Sequence, residues 1–407
     1  MTPLILLGDL APSGMDTIEI AADPAVTEGL VLANLETPLC TSELPAAPKA
    51  GPSLRSDPAI LASIATAFPR LALNLANNHM MDFGAEGLAT TVAACEARGI
   101  AHFGAGANLA QAQSPRRIRI SGLEALFLGA CERQFGVASL DTAGVSPFTP
   151  DLVSQVAALK PTTDRLIVSV HGASEMSPWP APRWQLALRS LISAGADLVH
   201  GHHAHVPQGF ERFGHGWIVY GAGNTIVNPT NWPEGGATLE SWRFCFDLDD
   251  FAAPPRVSTW ALSSAQMGHV RLAPITHAAS RLAACNAPLA NPVLLEGLWQ
   301  ENASMLWRSF YRAGLDWQTP PAQRFRHAVH VLRHRVRALF RSKSATKEPH
   351  SSARFLYHLF ACEHHAEAIV TALSLQTGES PDRRNAATRA LAAAWLPGWA
   401  ADQANNP

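Results

Sequence analysis

Short runs of apolar residues alternate with longer helical patterns over the first 250 residues of the chain. The apolar runs have the length of buried strands, and they are Leu4–Leu7, Gly29–Ala33, Leu71–Leu75, Ala125–Leu128, Leu166–Val170, Leu198–Val199 and Trp217–Tyr220. Between them, Gly84–Arg98 and Arg183–Ala194 have the spacing of helices. Strands that alternate with helices indicate an α/β domain.

The pattern changes towards the C-terminus. Residues 251–295 mix strand-like pieces with Pro- and Ala-rich loops and close the first domain, which we predict to span residues 1–280. The helices predicted beyond this point are Leu298–Ala313, Arg324–Arg341, His350–Gln376 and Arg383–Trp395. We therefore expect a separate helical region over residues 296–407.

The predicted helix at 324–341 is amphipathic and strongly basic. Its apolar residues recur every three or four positions, and the segment 324–347 contains Lys and Arg but no acidic residue. A solvated helix face is the ordinary interpretation of such a pattern. The sharper alternative is binding to an anionic surface, either a membrane or a polymer.

Composition and charge exclude several classes of protein. Of the 407 residues, 47% are hydrophobic, which is enough for a large core and rules out wholesale disorder. Lys and Arg number 31 and Asp and Glu 33, a formal net charge of −2, so the chain is not a polycation built to bind nucleic acid.

Cysteine spacing and targeting patterns indicate the compartment. The six cysteines form no CxxC pair, which favours reduced, buried thiols over a disulfide framework or a zinc ribbon. No secretory signal pattern opens the chain, and no apolar stretch approaches the length of a membrane span. We expect a cytoplasmic protein, with peripheral membrane contact through the basic helix as an open alternative.

Polar clusters follow five of the apolar runs. They are Asp9, then Asn34 with Glu36, then Asn77, Asn78, His79 and Asp82, then His171 with Glu175, and finally the histidines at 200, 202, 203 and 205. Taken singly, most of these residues are explained as helix caps, turn residues or core histidines. His203 and His205 in an extended segment would point the same way and could share a metal ion.

Taken together, the clusters indicate a metal site. Loops at strand ends converge in α/β folds, and these loops supply oxygen and nitrogen ligands without a thiolate, a set that suits Mn, Fe, Zn or Mg. A divalent ion would polarise a phosphoryl or acyl oxygen and lower the pKa of a bound water. His79, beside Asn78, could then protonate the leaving oxygen.

The order of these motifs resembles the CapA family, the poly-gamma-glutamate capsule biosynthesis proteins. The resemblance covers residues 4–230. It is carried by Gly8-Asp9, Asn34-Leu35-Glu36, Ala76-Asn77-Asn78-His79 with Asp82 and Gly84, Gly104-Ala105-Gly106, His171 with Glu175, His203-Ala204-His205 with Gln208, and Tyr220-Gly221-Ala222-Gly223-Asn224. The fold of that family is similar to calcineurin-like metallophosphoesterases.

The resemblance implies a four-layer α/β/β/α sandwich and a set of site residues. The implied ligands of one or two divalent ions are Asp9, Glu36, Asn78, His171, His203 and His205. The implied catalytic residues are His79, which takes the place of the acid histidine of the phosphoesterases, Asp82 and Glu175. The implied substrate contacts are Asn34, Asn77, Gln208 and Asn224.

The chain departs from the phosphoesterase pattern at two ligand positions. The phosphoesterases open with Asp-x-His, whereas Asp9 is followed by Leu10 and Ala11, so one ligand of the first metal is missing. Their second motif carries Asp, whereas this chain has the longer Glu36.

Three functions compete at this point. The first is a metal-dependent hydrolase that cleaves a phosphoester, amide or ester bond during capsule, exopolysaccharide or poly-gamma-glutamate production. The second is a non-catalytic accessory factor that binds an anionic polymer or a capsule synthase partner. The third is a polysaccharide-assembly enzyme docked on a membrane or an anionic glycan by the basic helix.

Overall fold

The computed structural model describes residues 3–14, 17–20, 28–228, 239–266, 269–275, 279–315, 352–399 and 402–403. Its strands are β1 (Pro3–Ala11), β2 (Thr17–Ile20), β3 (Leu30–Leu35), β4 (Leu71–Asn74), β5 (Ala101–Phe103), β6 (Ala105–Gly106), β7 (Arg116–Ile120), β8 (Leu123–Cys131), β9 (Gly144–Val145), β10 (Arg165–His171), β11 (Leu198–His202), β12 (Phe210–Phe213), β13 (Gly216–Val219), β14 (Asn224–Val227), β15 (Glu240–Asp247), β16 (Arg256–Gln266) and β17 (His269–Ile275).

Helices cover both outer faces of the sheets and form the C-terminal region. They are α1 (Ile60–Ala67), α2 (Gly84–Glu96), α3 (Leu109–Ala112), α4 (Pro150–Leu159), α5 (Pro182–Ser193), α6 (Ala279–Asn286), α7 (Pro292–Leu306), α8 (Arg312–Leu315), α9 (Ser352–Ala361), α10 (Glu363–Thr377) and α11 (Ala386–Trp395). A π-helical turn, Trp307–Tyr311, joins α7 to α8.

Two mixed sheets carry the fold. The first has the order β2-β17-β16-β15-β1-β3-β4-β5, with β14 also paired to β1. The second has the order β12-β13-β11-β10-β8-β7. Strands β1, β3, β4 and β5 run parallel in the first sheet, as do β8, β10, β11 and β13 in the second. Their carboxyl ends therefore lie along one edge of each sheet.

The two sheets pack face to face between two layers of helices. Leu6, Leu32 and Phe103 of the first sheet meet Phe127 and Ile167 of the second in the central core. The opposite face of the first sheet is covered by α1 and α2, and the opposite face of the second by α4 and α5. The implied four-layer α/β/β/α sandwich is confirmed.

Burial on both faces explains why the strands are almost wholly apolar. In β1, Leu4 and Leu6 face the second sheet, while Ile5 and Leu7 face the helices. A strand buried on both sides has no polar face to alternate with, so it is a continuous apolar run. The seven strands predicted from these runs are all present, as are the helices predicted at Gly84–Arg98 and Arg183–Ala194.

The C-terminal helices pack on the outer layer of the second sheet. Trp299 and Ala303 of α7 and Ile369 of α10 belong to the same buried cluster as Leu188 of α5. Arg183 at the start of α5 lies 3.3 Å through its Nε from Oε2 of Glu367 on α10. The division into domains at 1–280 and 296–407 stays a prediction.

Two predictions about this region had different outcomes. The helix predicted over His350–Gln376 was wrong in its continuity, because α9 and α10 are separated at Cys362, whose backbone is extended (φ −78°, ψ 112°). The predicted basic helix at 324–341 lies outside the described residues. Within the described part of the chain, none of the helices is long and apolar enough to cross a membrane.

All six cysteines are free and buried, as predicted from their spacing.

Candidate metal centre

The predicted site residues meet where the two sheets end at a common edge. Strand register sets the first contacts, because Asp9 of β1 lies beside Asn34 of β3 and Asn224 of β14. In the second sheet, His171 of β10 lies beside His202 of β11. Polar side chains at the ends of parallel strands are thus brought into one crevice between the sheets.

An irregularity in β1 turns Asp9 towards the second sheet. Regular alternation would place Asp9 on the helix-covered face with Ile5 and Leu7, but the register with β3 shifts between Leu6 and Asp9. A bulge of this kind re-aims the next side chain. As a result, Oδ1 of Asp9 lies 3.3 Å from Nδ1 of His202, and Oδ2 accepts a hydrogen bond from the His203 backbone N–H at 3.2 Å.

Glu36 is the most unusual residue of the site. Its side chain is fully buried, and neither carboxylate oxygen accepts a hydrogen bond from the part of the chain that the structure describes. Oε1 lies 3.6 Å from Nε2 of His171 and 3.7 Å from Nε2 of His205. Both separations exceed a hydrogen bond, and the one to His205 suits two ligands of one ion, since two ligands each about 2.1 Å from an ion lie at most about 4.2 Å apart.

A group of three side chains has the geometry of a metal site. Ligand atoms of Glu36, His203 and His205 all lie within 4.8 Å of one another, and no other group of three His, Cys, Asp or Glu side chains meets this criterion among the described residues. All three are buried. A buried carboxylate without a hydrogen-bond donor is costly unless a cation compensates it.

The backbone that carries the two histidines is left-handed. His203 has φ 88° and His205 has φ 57°, and β11 ends at His202. The expected extended segment, with two side chains aligned at period two, was therefore wrong. A left-handed conformation costs roughly 1–2 kcal/mol for a residue other than Gly. The two imidazoles are therefore brought together by left-handed turns and not by alternation along a strand.

Charge in the centre is balanced by mutual pKa shifts. Burial raises the pKa of Glu36 to about 8, although the charge of His205 opposes this shift. Burial would lower the pKa of His205, but the carboxylates of Glu36 and Asp9 raise it to about 9. For Asp9, burial is outweighed by the hydrogen bond and charge of His202, which hold its pKa well below the usual range. A bound cation would displace protons from the Glu36–His205 pair, because metal ligands bind in their deprotonated forms.

Asn224 fixes the orientation of the His205 ring. Its Oδ1 lies 3.0 Å from Nδ1 of His205, and because an amide oxygen only accepts, Nδ1 carries the proton. Nε2 of His205 therefore faces Glu36. A hydrogen bond on the far nitrogen that sets the tautomer is the usual arrangement around a metal-binding histidine.

The amide network gives His171 a different role. Nδ2 of Asn34 donates to Oδ1 of Asp9 at 2.8 Å and to Nδ1 of His171 at 3.1 Å, and the Asn34 orientation is fixed because its Oδ1 accepts from Asn77. The His171 proton then resides on Nε2, which donates to Oδ1 of Asn78 at 2.9 Å. In this arrangement His171 orients Asn78 as a hydrogen-bond donor, and neither of its ring nitrogens has a lone pair available to bind a metal ion.

His79 is held by a buried carboxylate and a buried amine. Its Nδ1 lies 2.7 Å from Oδ2 of Asp82, and Lys49 forms an ion pair with the other oxygen of Asp82. Burial and the Lys49 charge lower the pKa of His79, whereas Asp82 opposes this shift. Asp82 also accepts the Leu54 N–H at 2.7 Å. Asp82 therefore positions His79, whose second ring nitrogen is directed away from the carboxylate.

Glu175 lies at the open side of the centre. Oε1 of Glu175 is 3.7 Å from Nε2 of His203, and its side chain is 54% exposed. It is the exposed member of the predicted set, so it can meet a ligand that enters the crevice.

The predicted substrate contacts are buried within the protein. Asn77 donates to Asn34 and to the Leu35 carbonyl, and its Oδ1 accepts the backbone N–H groups of His79 and Met80. Gln208 donates to the Ser177 carbonyl at 2.8 Å. With Asn34 and Asn224 held as described above, all four side chains brace the loops that carry the ligands, and their predicted contact with substrate stays a prediction.

Several residues near the centre were not selected from the sequence. Lys49 stands alone in a Pro-rich loop, so no pattern singled it out. His202 belongs to the histidine run, and its Nε2 lies 3.0 Å from Oγ of Ser169 while Nδ1 faces Asp9. Alternation along β11 would have identified His200 and His202 as residues on the same strand face as Leu198.

The donor set fits a divalent ion. Glu36, His203 and His205 would hold it, with Asp9 and Asn78 close by, and all of these ligands are oxygen or nitrogen. Such a set suits Mn, Fe, Zn or Mg and disfavours ions that prefer thiolate.

Solved structures resemble this chain only distantly. A hypothetical protein from Thermus thermophilus aligns with 67% of this chain and 98% of its own at 15% identity and a TM-score of 0.35. A 5'-nucleotidase from Candida albicans aligns with 64% of this chain and 52% of its own at 11% identity and a TM-score of 0.35. Similarity at this level carries no functional information.

Curated relatives are more similar in sequence. The chain is 32% identical over 163 residues to "Capsule biosynthesis protein CapA" of Bacillus anthracis, which is 38% of this chain and 40% of that protein. It is 34% identical over 166 residues to "Probable polyglutamine synthesis accessory protein" of Mycobacterium tuberculosis, 37% of this chain and 44% of the relative. The chain thus spans well under half the length of the curated relatives that it matches.

A family model covers the region in which the site lies. Residues 15–229 match the model of the bacterial capsule synthesis protein PGA_cap, which is more than half of the chain. The matched region contains Glu36, His203 and His205, while Asp9 precedes it. This chain therefore belongs to the PGA_cap family of bacterial capsule synthesis proteins.

Proposed function

We propose that this chain is a metal-dependent hydrolase that acts in the production of a capsule, an exopolysaccharide or poly-gamma-glutamate. The observation that carries the proposal is the buried Glu36 carboxylate, which has no hydrogen-bond donor in the described part of the chain and faces two imidazoles. A bound cation would explain why such a group is buried. The acid–base residues beside it indicate that this cation would be catalytic.

A bound divalent ion would supply Lewis acidity and a lowered pKa for its water. The residues of the chain would perform the remaining steps. Asp82 holds Nδ1 of His79, so the other ring nitrogen of His79 can deliver a proton to a leaving oxygen or nitrogen. Glu175, on the exposed side of His203, would contact the substrate.

The proposed substrates are phosphoesters, or amide or ester bonds of an anionic polymer. This choice is supported by the family and by the names of the curated relatives, which refer to capsule, PGA and polyglutamine. A capsule synthase is a further proposed partner. The fold and the family do not identify which bond is cleaved, because one fold supports many reactions.

Hydrolysis tests this proposal directly. The full chain, incubated with Mn²⁺, should release phosphate from a chromogenic phosphoester or glutamate from poly-gamma-glutamate. His79→Gln should lower the rate by at least about 100-fold while metal binding is retained, since general acid catalysis contributes factors of this size. His215→Gln, an exposed histidine in the β12–β13 turn, is the matched control. Equal rates in His79→Gln and in the wild type would contradict the proposal.

An accessory factor is the second candidate. It is favoured by Ala11, which stands where the Asp-x-His motif of phosphoesterases carries its histidine, and by the name of one relative, a probable polyglutamine synthesis accessory protein. The double variant His203→Ala/His205→Ala distinguishes the two functions. Full restoration of capsule production in a deletion strain by this variant would favour the accessory function, and failure of restoration would favour the hydrolase.

A further inference from the structure

A second group of histidines lies on the C-terminal helices, outside the segment that matches the family model. His358 lies on α9, and His364 and His365 lie at the start of α10, beside Tyr311 of the π-helical turn. The family match ends at residue 229, so these residues lie outside the matched region.

Three of these side chains form one hydrogen-bonded chain. The hydroxyl of Tyr311 lies 2.7 Å from Nδ1 of His365, and Nε2 of His365 lies 3.1 Å from Nε2 of His358. The ring centroids of His358 and His365 are 4.8 Å apart. Both histidines are half-buried, so a ligand can reach them.

The proton count leaves this chain with an unused donor. If His365 donates to His358, then Nδ1 of His358 carries a proton that no bond given above uses. If His358 donates to His365, then Nδ1 of His365 donates to Tyr311 and the Tyr311 proton is unused. In either direction, one N–H or O–H of these three side chains is not used by the bonds among them, and a ligand could accept it.

His364 adds a buried nitrogen that also lacks a partner. Its ring is 5.6 Å from that of His365, its side chain is 4% exposed, and its Nδ1 has no hydrogen-bond partner among the described residues. A buried polar atom left unpaired costs about 1–3 kcal/mol. These histidines do not meet the three-ligand criterion that selects Glu36, His203 and His205 among the described residues. Hydrogen bonding to a ligand therefore accounts for the group better than metal binding does.

The C-terminal helices contact the loop that carries Glu175. Nδ2 of Asn302 on α7 donates to Oγ of Ser174 at 2.8 Å, and both side chains are buried. Nη2 of Arg183 lies 3.5 Å from Oε1 of Glu132 and 3.7 Å from Oε2 of Glu363, the residue before His364. Glu132 in turn accepts the Ala173 N–H at 3.0 Å, so the start of α10 lies beside the loop that carries Glu175.

We propose that Tyr311, His358 and His365, with His364 behind them, form an oxyanion-binding site beside the metal centre. The site would take a carboxylate or phosphoryl group of the ligand whose neighbouring bond lies at Glu36, His203 and His205. The inference rests on the proposed function for the identity of that ligand. It makes the C-terminal helices part of the substrate site, with hydrogen-bond donors as the recognising groups.

Isothermal titration of the full, Mn²⁺-loaded chain tests the site. The probes are inorganic phosphate and a gamma-linked glutamate tetramer, which distinguish a phosphoryl from a carboxylate ligand. His358→Leu/His365→Leu should weaken binding of the preferred probe at least about 10-fold because both imidazoles are lost, and Tyr311→Phe should weaken it less because an imidazole N–H remains. His215→Gln, on an exposed turn, should bind as the wild type does.

Metal content measured on the same samples separates the two proposals. Weaker probe binding at unchanged Mn²⁺ content and unchanged melting temperature supports the oxyanion site. Equal affinity in the double variant and the wild type, or no binding of either probe by the wild type at millimolar concentration, would overturn it. If the wild type takes up no Mn²⁺, the proposed function fails, whereas the dependence of probe binding on His358 and His365 still decides this inference.

Discussion

At the scale of single residues, hydrogen bonds separate side chains that look alike in the sequence. His171 and His203 both follow buried strands, but Nδ1 of His171 accepts from Asn34, whereas Nδ1 of His203 has no partner among the described residues. His171→Gln should therefore retain metal within about 10-fold, the lower end of effects from residues that orient ligands, whereas His203→Ala should lose at least about 100-fold. Mn²⁺ affinity measured by competition with a chelating dye checks this difference.

Asn34→Leu is a second test of the hydrogen-bond network around His171. It removes the donor to Nδ1 of His171 and to Asp9, so it should weaken metal binding through Asp9 as well. A loss of metal in His171→Gln as large as that in His203→Ala would show that His171 is a ligand and would contradict the assigned tautomer.

Glu132 provides a test of electrostatics outside the centre. Its buried carboxylate accepts the Ala173 N–H at 3.0 Å, and burial raises its pKa to about 7. The folded state thus binds a proton on Glu132 more tightly than the unfolded state does. The stabilisation that this protonation gives the folded state is complete below pH about 4.5 and is lost as pH rises through about 7. The loss amounts to about 3 kcal/mol, since one pKa unit corresponds to about 1.4 kcal/mol.

Glu132→Gln should remove that pH dependence. Chemical denaturation of the metal-free wild type and variant at several values between pH 5 and 8 checks it, because the difference in the free energy of unfolding should change across this range. The amide keeps an acceptor for the Ala173 N–H. A difference that stays constant with pH would mean that Glu132 has an ordinary pKa in the folded protein.

The sequence indicated which residue types meet, but not how each is oriented. Asp9, Asn78, His171, His203 and His205 come together as expected, because each lies at or near the carboxyl end of a strand in one of the two parallel arrays. The left-handed backbone at His203 and His205 could not be predicted, since it is held by tertiary contacts such as the bond from the His203 N–H to Asp9.

At the scale of secondary-structure elements, the close approach of β1 to the segment before β14 positions the site. A Cβ at Gly8 would lie 1.8 Å from the carbonyl oxygen of Gly223, which also accepts the Asp9 N–H at 3.0 Å. Gly8→Ala should therefore destabilise the protein by about 1–3 kcal/mol and displace Asp9. The melting temperature and the affinity for Mn²⁺ should both decrease.

Gly221→Ala is the matched control for Gly8→Ala. A Cβ there would meet Gln208 at 3.4 Å or more, an ordinary contact, although the residue is near the same loop. The prediction fails if both variants unfold at the same temperature as the wild type.

The predictability of elements follows from burial. Strands buried on both faces leave unmistakable apolar runs, so their positions were predicted within a few residues. The interruption between α9 and α10 was missed because Cys362 is neither Gly nor Pro, and the apolar spacing continues through it. Packing of the buried Cys362 and of Leu359 against the core sets this corner instead.

At the scale of the whole molecule, the basic segment at 324–341 stays a prediction about the surroundings of the protein. Charge reversal of Arg333, Arg335 and Arg337 should abolish cosedimentation with vesicles that contain about 30% phosphatidylserine, since an anionic surface of this kind attracts basic segments by about 1 kcal/mol per residue. Neutral phosphatidylcholine vesicles are the control. Equal sedimentation of wild type and variant would exclude docking through this segment.

The four-layer arrangement could be inferred as a whole because the motif order resembled a known family. The contribution of the C-terminal helices could not, since nothing in the sequence of α9 and α10 marks them as neighbours of residues 171–205. The adjacency of His364 and His365 was the available signal, and it becomes meaningful only once α7 and α10 are packed on the second sheet.

The central claim is that Glu36 is buried to hold a divalent cation with His203 and His205. The metal content of the full chain and of Glu36→Gln, measured by mass spectrometry after loading with Mn²⁺ or Zn²⁺ and desalting, tests it most directly. The account predicts about one equivalent in the wild type and a loss of most of it in Glu36→Gln, since a preformed site retains its ion. Less than about 0.1 equivalent in the wild type, or equal content in both proteins, would contradict it.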